Sequence, residues 1–287
     1  MACKPDAQSV RRSVIAGQWY PGSGPALARA VDEYLTRVAS EPPVPGALLG
    51  LISPHAGYAY SGPTAAHAYH QLEGRAFDTV VLMGPSHRAW VGDYAISAEE
   101  AYETPLGQVL LDQDLIGALE KRLRVTRIRR DAEHSLEIQL PFLQRQLPGF
   151  RLVPIVMSAD DPAAARRLAA ALVEIVSEQP GRRGKTLLVA SSDLHHIEDY
   201  ALVNRRDQRV VDAVGRFDLD GLTAVLMDPQ STVCGRMPIL TVMHAARELG
   251  ATQARVLQHT TSGDVTGERW VGQYTVGYMA AALFEGQ

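Results

Sequence analysis

LLGLISPHAGY, residues 48–58, is an apolar run that breaks at Ser53 and Pro54 into a small-residue turn carrying His55. The same construction recurs as VVLMGPSHR, residues 80–88, with His87, and as LLVASSDLHH, residues 187–196, with Asp193, His195 and His196. Apolar runs of this length that stop at Gly, Pro or Ser read as strands buried on both faces, and such strands belong to sheets covered by helices. In open α/β sheets, ligands bind beyond the carboxyl ends of the strands, where these turns lie. The repetition therefore predicts one pocket that gathers imidazoles and a carboxylate from distant parts of the chain.

Working outward, strands and helices alternate. Residues 25–39 carry Leu27, Val31, Tyr34, Leu35 and Val38 at helical spacing, with Ser23 placed to cap them. A helix is predicted from Pro63, a favourable first-turn proline, and a second strand over residues 79–83. Short strands are expected at 94–97 and 109–111, as an antiparallel extension of the sheet. Residues 133–140 are helical in pattern until Pro141 ends or kinks them. A strand at 152–157, an alanine-rich helix at 161–176, a strand at 187–190 and helices near 200–217 and 219–227 follow. After Cys234 comes another helix, then strands at 255–259 and 274–281. The expected fold is α/β: a single domain over residues 1–287, with a mostly parallel or mixed central sheet and helices on both faces.

The composition, 46% hydrophobic and 21% charged in 287 residues, excludes disorder and supports a sizeable core. The net charge of −4, with both signs mixed along the chain, gives no footprint for nucleic acid or anionic membrane. The densest basic cluster, Arg127, Arg129 and Arg130, lies beside Asp131 and Glu133 and reads as a solvated face. The N-terminal residues lack a signal-peptide apolar core and no stretch approaches membrane-spanning length, so a cytoplasmic protein is expected. With only Cys3 and Cys234 present, no structural disulfide is expected. Cys234, just before a helix whose start can lower a thiol pKa, is read as a ligand, a nucleophile or a core thiol.

Two neutral imidazoles plus one anionic ligand is the pattern by which non-haem Fe(II) leaves positions open for substrate and dioxygen. His55 and His87 supply the imidazoles. The third ligand is either Asp193, completing a two-His, one-carboxylate set, or Cys234, whose thiolate also suits Zn²⁺ or Cu(I). His134 and Glu137 lie three apart on one helix face and are candidates for handling protons beside the metal. Tyr58 and Tyr60 are candidates for an aromatic slot, and Arg88 or Arg236 for holding a carboxylate. His67, His70, His244 and His259 read as surface or packing residues.

The ordered succession AGQWYPG, SPHAGYAYSG, GPSHR, ETPLG, EHSLEIQLPF, SSDLHH and TVCGRMPI resembles the Memo protein family, whose bacterial and archaeal members are called AmmeMemoRadiSam system protein B. The resemblance runs from Ala16 to the last strand. It implies a fold similar to class III extradiol dioxygenases, which open catechol rings with non-haem iron. It places metal ligands at His55, His87 and Cys234, with Asp193 and His196 completing the pocket and His196 as acid/base. Cys234 stands where the extradiol enzymes have a carboxylate. His195, beside His196, departs from the family pattern and leaves open which of the two faces the metal. The implied cofactor is Fe(II), with Cu or Zn as alternatives, and the implied substrate a small aromatic or enediol. The implied partners are radical S-adenosylmethionine (SAM) and AMMECR1-type proteins. A non-catalytic metal- or peptide-binding protein and a zinc hydrolase are the alternatives to an oxidoreductase.

Overall fold

The computed structural model describes residues 9–129 and 131–286. Cys3, expected to stay unpaired, and Arg130, of the expected basic cluster, lie outside them.

In chain order the elements are β1 (Val10–Arg11), α1 (Gly24–Val38), β2 (Leu48–Ser53), α2 (Tyr58–His70), β3 (Thr79–Pro85), β4 (Tyr94–Ser97), β5 (Ala101–Thr104) and β6 (Gly107–Leu110). Then come α3 (Gln113–Glu120), β7 (Val125–Ile128), α4 (His134–Glu137), α5 (Leu140–Gln146), β8 (Arg151–Met157), α6 (Pro162–Glu178), β9 (Thr186–Ser191) and β10 (His196–Asp199). The chain continues through α7 (Tyr200–Gly215), α8 (Leu219–Leu226), α9 (Arg236–Glu248), β11 (Gln253–Thr261), α10 (Ser262–Thr266) and β12 (Val271–Phe284).

Four strands form a parallel centre in the order β2-β9-β3-β8. The sheet is extended by antiparallel β4 on β8 and antiparallel β12 on β2, so it is mixed. Every residue of β2, β3 and β9 is buried, the signature of a sheet covered on both faces. Leu51 and Ile52 are fully buried, and each such side chain contributes roughly 1.5–3 kcal/mol of transfer free energy. Gly50 makes room for Val242 of α9, and Gly84 admits α4, where an added Cβ would meet Ser135 Oγ at 2.6 Å. Because β9 lies between β2 and β3, the turns bearing His55, Asp193 and His87 leave neighbouring parallel ends at one edge.

Several elements differ from the sequence reading. Helix α2 begins at Tyr58 rather than Pro63, because Gly57 starts the helix a turn earlier and Tyr58 N–H donates to Trp19 O, leaving the proline inside. Pro141 opens α5 instead of ending a helix, since a proline costs no hydrogen bond in a first turn. Strand β4 extends the sheet antiparallel as expected, but β6 pairs with β5 in a separate three-stranded sheet with β1. Ser23 is the N-cap of α1 without a side-chain hydrogen bond, whereas Asp161 caps α6 through Ala163 N–H at 2.9 Å. Among the described residues no helix is long and apolar enough to cross a membrane.

Candidate metal centre

His55 follows β2 and is 2% exposed. Its backbone N–H donates to Asp193 Oδ1 at 2.6 Å, and its Nδ1 lies 3.1 Å from Ser191 Oγ. A chain of hydrogen bonds settles the tautomer. Tyr69 O–H donates to Gln139 Oε1 (2.7 Å), so Gln139 Nε2 is the donor to Ser191 Oγ (2.8 Å) and Pro54 O (2.8 Å). The only proton of Ser191 Oγ goes to the carbonyl of Ser135 at 2.6 Å. The hydroxyl must therefore accept from His55 Nδ1–H, which leaves a lone pair on Nε2. That lone pair meets Cys234 Sγ at 3.0 Å. Burial pushes His55 well below its ordinary pKa, with His87 and His134 adding to the effect, so the ring is neutral.

Cys234 precedes α9 on a turn brought close to the SSD segment by Gly235, where a Cβ would fall 2.3 Å from Ser192 Cβ. Gly235 N–H donates to Ser192 Oγ (2.9 Å), so a side chain here would push the cysteine away from His55. The expected lowering of the thiol pKa by the helix start is overturned. Burial, with the charge of Asp193 added, pushes the thiol up, because desolvation of a thiolate outweighs a nearby helix end.

His87 lies on the turn after β3, with its side chain 30% exposed. Glu133 holds it twice: Oε2 accepts the His87 backbone N–H (2.7 Å) and Oε1 pairs with ring Nδ1 (2.9 Å). One ligand atom from each of His55, His87 and Cys234 lies within 4.8 Å of the others. The His134 ring stacks on His87 with centroids 4.5 Å apart and carries Trp19 on its other contact at 4.3 Å. A cleft of about 500 Å³ opens over His55, His87 and His134, lined also by Trp19, Tyr60, Asp193, His196 and Tyr274, while Cys234 lines a smaller pocket with Trp90 and Arg236.

The chain matches the profile of the Memo-like protein family over residues 11–282. It belongs to that family. Relatives include a MEMO1 family protein of Caldivirga maquilingensis, 38% identical over 83% of this chain and 84% of its own. Another, from Ignicoccus hospitalis, is 37% identical over 94% of this chain and 97% of its own. A crystal structure of an uncharacterized protein from Escherichia coli K12 is 14% identical, with TM-score 0.42, over 83% of this chain and 99% of that one.

In this Memo-like chain the paired histidines part company. His195 turns into the core, where Nδ1 meets Asp207 Oδ1 at 2.8 Å and the other carboxylate oxygen meets His259 Nε2 at 2.9 Å. His196, one residue on and at the start of β10, lines the cleft, with Nδ1 3.1 Å from Tyr274 O–H and a buried Nε2 that has no partner among the described residues. Burial, reinforced by His87, pushes His196 down to about 4. Burial, opposed by Glu133, pushes His134 down to about 4 as well, and its Nδ1 is buried 3.2 Å from Glu133 Oε1 without forming a hydrogen bond. Both rings are neutral at pH 7.

Glu137 is not at the site. It is fully buried and accepts from Arg11, Ser13 Oγ and Tyr20 O–H, so the expected pairing with His134 is replaced by an anchor for the N-terminal segment. Glu133 takes the place beside the histidines. It and Asp131 are 3% and 6% exposed, whereas Arg127 and Arg129 of the neighbouring basic cluster are exposed, as the expected solvated face requires. Tyr58 is buried, with its hydroxyl on Ile138 O, and only Tyr60 reaches the cleft. Arg236 is paired with Asp160 at 2.7 Å and Arg88 is exposed. His67 and His259 make side-chain pairs with Glu41 and Asp207, and His70 contacts the Glu41 backbone, as packing residues do. Trp19, Ser191 and Gln139 were not picked out as site residues; Trp19 stands in the AGQWYPG segment that carried part of the resemblance.

Asp193 Oδ1 supports the His55 backbone, and burial, against the backbone hydrogen bonds of His55 and Ala56, pushes its carboxyl up from 3.8 to about 7. A carboxyl whose folded pKa lies above its unfolded one favours folding below pH 4 and loses that contribution as pH rises to 7. Asp193→Asn keeps an acceptor and cannot ionise. Metal-free Asn variant is therefore expected to be more stable than wild type at pH 8 and close to it at pH 4, measured by urea unfolding; a gain equal at both pH values would contradict the assignment.

Proposed function

We propose that this protein holds a transition metal, Fe(II) in the first place and Cu or Zn as alternatives, on His55, His87 and Cys234, and acts as an oxidoreductase on a small aromatic or enediol substrate. The convergence of two imidazole nitrogens and one thiol, with both imidazoles lining an aromatic-walled cleft, carries this reading. The donors suit the ion: two neutral imidazoles and a sulfur form a set for a borderline-soft metal, with space left on the cleft side. When bound, iron would supply Lewis acidity and redox capacity toward a chelating diol.

The protein's own groups have distinct parts. Ser191 and Gln139 fix the His55 nitrogen that faces the centre. Trp19, Tyr60 and Tyr274 give walls for a flat ring, in a volume typical of small-molecule sites. His196, a neutral ring in the cleft wall, is the base for a substrate hydroxyl proton once a turn of the ring brings its buried Nε2 to the cleft, and His134 is a second acceptor. Asp193 holds the His55 turn and acts on the chemistry through it. The likeness to extradiol dioxygenases, a cytoplasmic location and cooperation with radical SAM and AMMECR1-type proteins belong to the same proposal; gene neighbourhood tests the last.

Protein purified anaerobically, without a metal-affinity tag, is expected to contain about one equivalent of iron by elemental analysis. Reloaded with Fe(II), it is expected to consume dioxygen with a catechol or enediol. Tight metal without uptake across a broad panel would leave a non-catalytic binder, and zinc alone with ester or amide cleavage would make it a hydrolase.

A further inference from the structure

Two of the three donors differ sharply in how they are held. His55 is buried and oriented by a neutral hydroxyl, Ser191 Oγ. His87 stands on a turn whose residues Ser86 to Arg88 reach the surface, with its ring stacked on His134 and edge-on to His55. An exposed imidazole with free rotation would present either nitrogen. What stops this is Glu133.

Both oxygens of Glu133 act on His87, one on the backbone N–H and one on Nδ1. The carboxylate is itself immobilised as the N-cap of α4, accepting from His134 N–H (2.9 Å) and Ser135 N–H (3.0 Å). Its own backbone N–H donates to Asp131 Oδ1 (2.8 Å). Helix α4 in turn packs on β3, the strand that ends in the His87 turn, through Ser135 O–H on Pro85 O (3.1 Å). The side chain thus ties the turn of one strand end to the first residues of a helix 46 positions away in sequence.

We propose that Glu133 is the positioning residue of the metal centre: it clamps the His87 turn, fixes the Nδ1–H tautomer and leaves Nε2 as the nitrogen offered to the ion. This rests on the metal reading above. A carboxylate behind a histidine ligand also makes the imidazole a stronger donor, and losing such a partner costs about 10–100-fold in metal affinity. His87, Glu133 and His134 also bring one ligand atom each within 4.8 Å of one another, so a cation held by that trio itself is the competing arrangement.

The test uses the full chain and Co(II) as probe, with three readouts. Imidazole ¹⁵N NMR of the metal-free protein is expected to give His87 as the Nδ1–H tautomer and, in Glu133→Gln, a mixture; a wild-type Nε2–H tautomer would overturn the proposal without reference to any metal. Co(II) titration is expected to give one equivalent, bound about 10–100-fold more weakly by Glu133→Gln. In a His87→Ala background the same substitution should cost nothing further, because Glu133 acts through the ring. Equal losses in both backgrounds, or a second equivalent that His134→Ala removes, would overturn it. Failure of wild type to bind Co(II) would sink the metal reading, and the tautomer would still decide the role of Glu133.

Discussion

Glu137→Ala is expected to lower the unfolding free energy by about 3–5 kcal/mol, the cost of breaking a buried ion pair from one side. Glu137 is fully buried and its partner Arg11 has a side chain only 2% exposed. Besides Arg11, the carboxylate accepts from Ser13 Oγ at 2.5 Å, Tyr20 O–H at 2.6 Å and Val14 N–H at 2.9 Å. Truncation removes the acceptor that all of these donors share. Arg11 would keep the Glu133 carbonyl at 2.6 Å, Asp131 at 3.6 Å and the face of Tyr102 at 5.0 Å, but would lose the carboxylate to which its buried guanidinium is directly hydrogen-bonded. The same segment carries Trp19 over His134, so the substitution is also expected to loosen one wall of the cleft. Urea denaturation with tryptophan fluorescence reads both effects. A loss below about 1 kcal/mol would mean that the segment is held by its apolar contacts, Ile15 and Tyr20 in the core, and that the carboxylate is incidental.

How the sequence reads depends on how far the cause of each feature extends along the chain. The strands before His55, His87 and Asp193 were legible because burial on both faces leaves a continuous apolar run and a sharp stop, both local. Strand β10 was missed: HIED is short and polar, and it becomes a strand only because β12 lies antiparallel beside it, with His196 opposite Val276. Glu137 was read as a site residue and Glu133 was not, for a similar reason. Four residues apart in EHSLE, they look alike, yet one meets a histidine 46 positions upstream and the other an arginine 126 upstream. No periodicity encodes such pairings. Pro63 and Pro141 show a smaller limit, since proline marks a break in hydrogen bonding while the neighbouring turns decide on which side the helix lies. The division of work between His195 and His196 follows from alternation at the start of a strand, which becomes visible only once β10 is placed.

Cys234→Ser is expected to weaken metal binding by more than about 100-fold, beyond the range set by partners outside the ligand set, while leaving the metal-free fold nearly unchanged. Serine fits the same space, and its hydroxyl can donate to His55 Nε2 as the thiol now does at 3.0 Å. What it cannot do is become an anion near neutral pH, so the ion would meet two neutral imidazoles and no charged donor. The proton makes this testable apart from affinity. Because burial and Asp193 keep the thiol protonated without metal, the ion must displace that proton to gain the thiolate. At pH 8, where Asp193 with its carboxyl near 7 is already ionised, wild type should release about one proton per ion bound and the serine variant none. Apparent affinity should accordingly climb with pH in wild type and stay nearly flat in the variant. Titration in weak buffer with a pH indicator measures the release directly. If both proteins release the same number of protons, sulfur is not the anionic donor, and Asp193, the carboxylate that reaches His55 only through its backbone, would have to move into the centre to supply the charge.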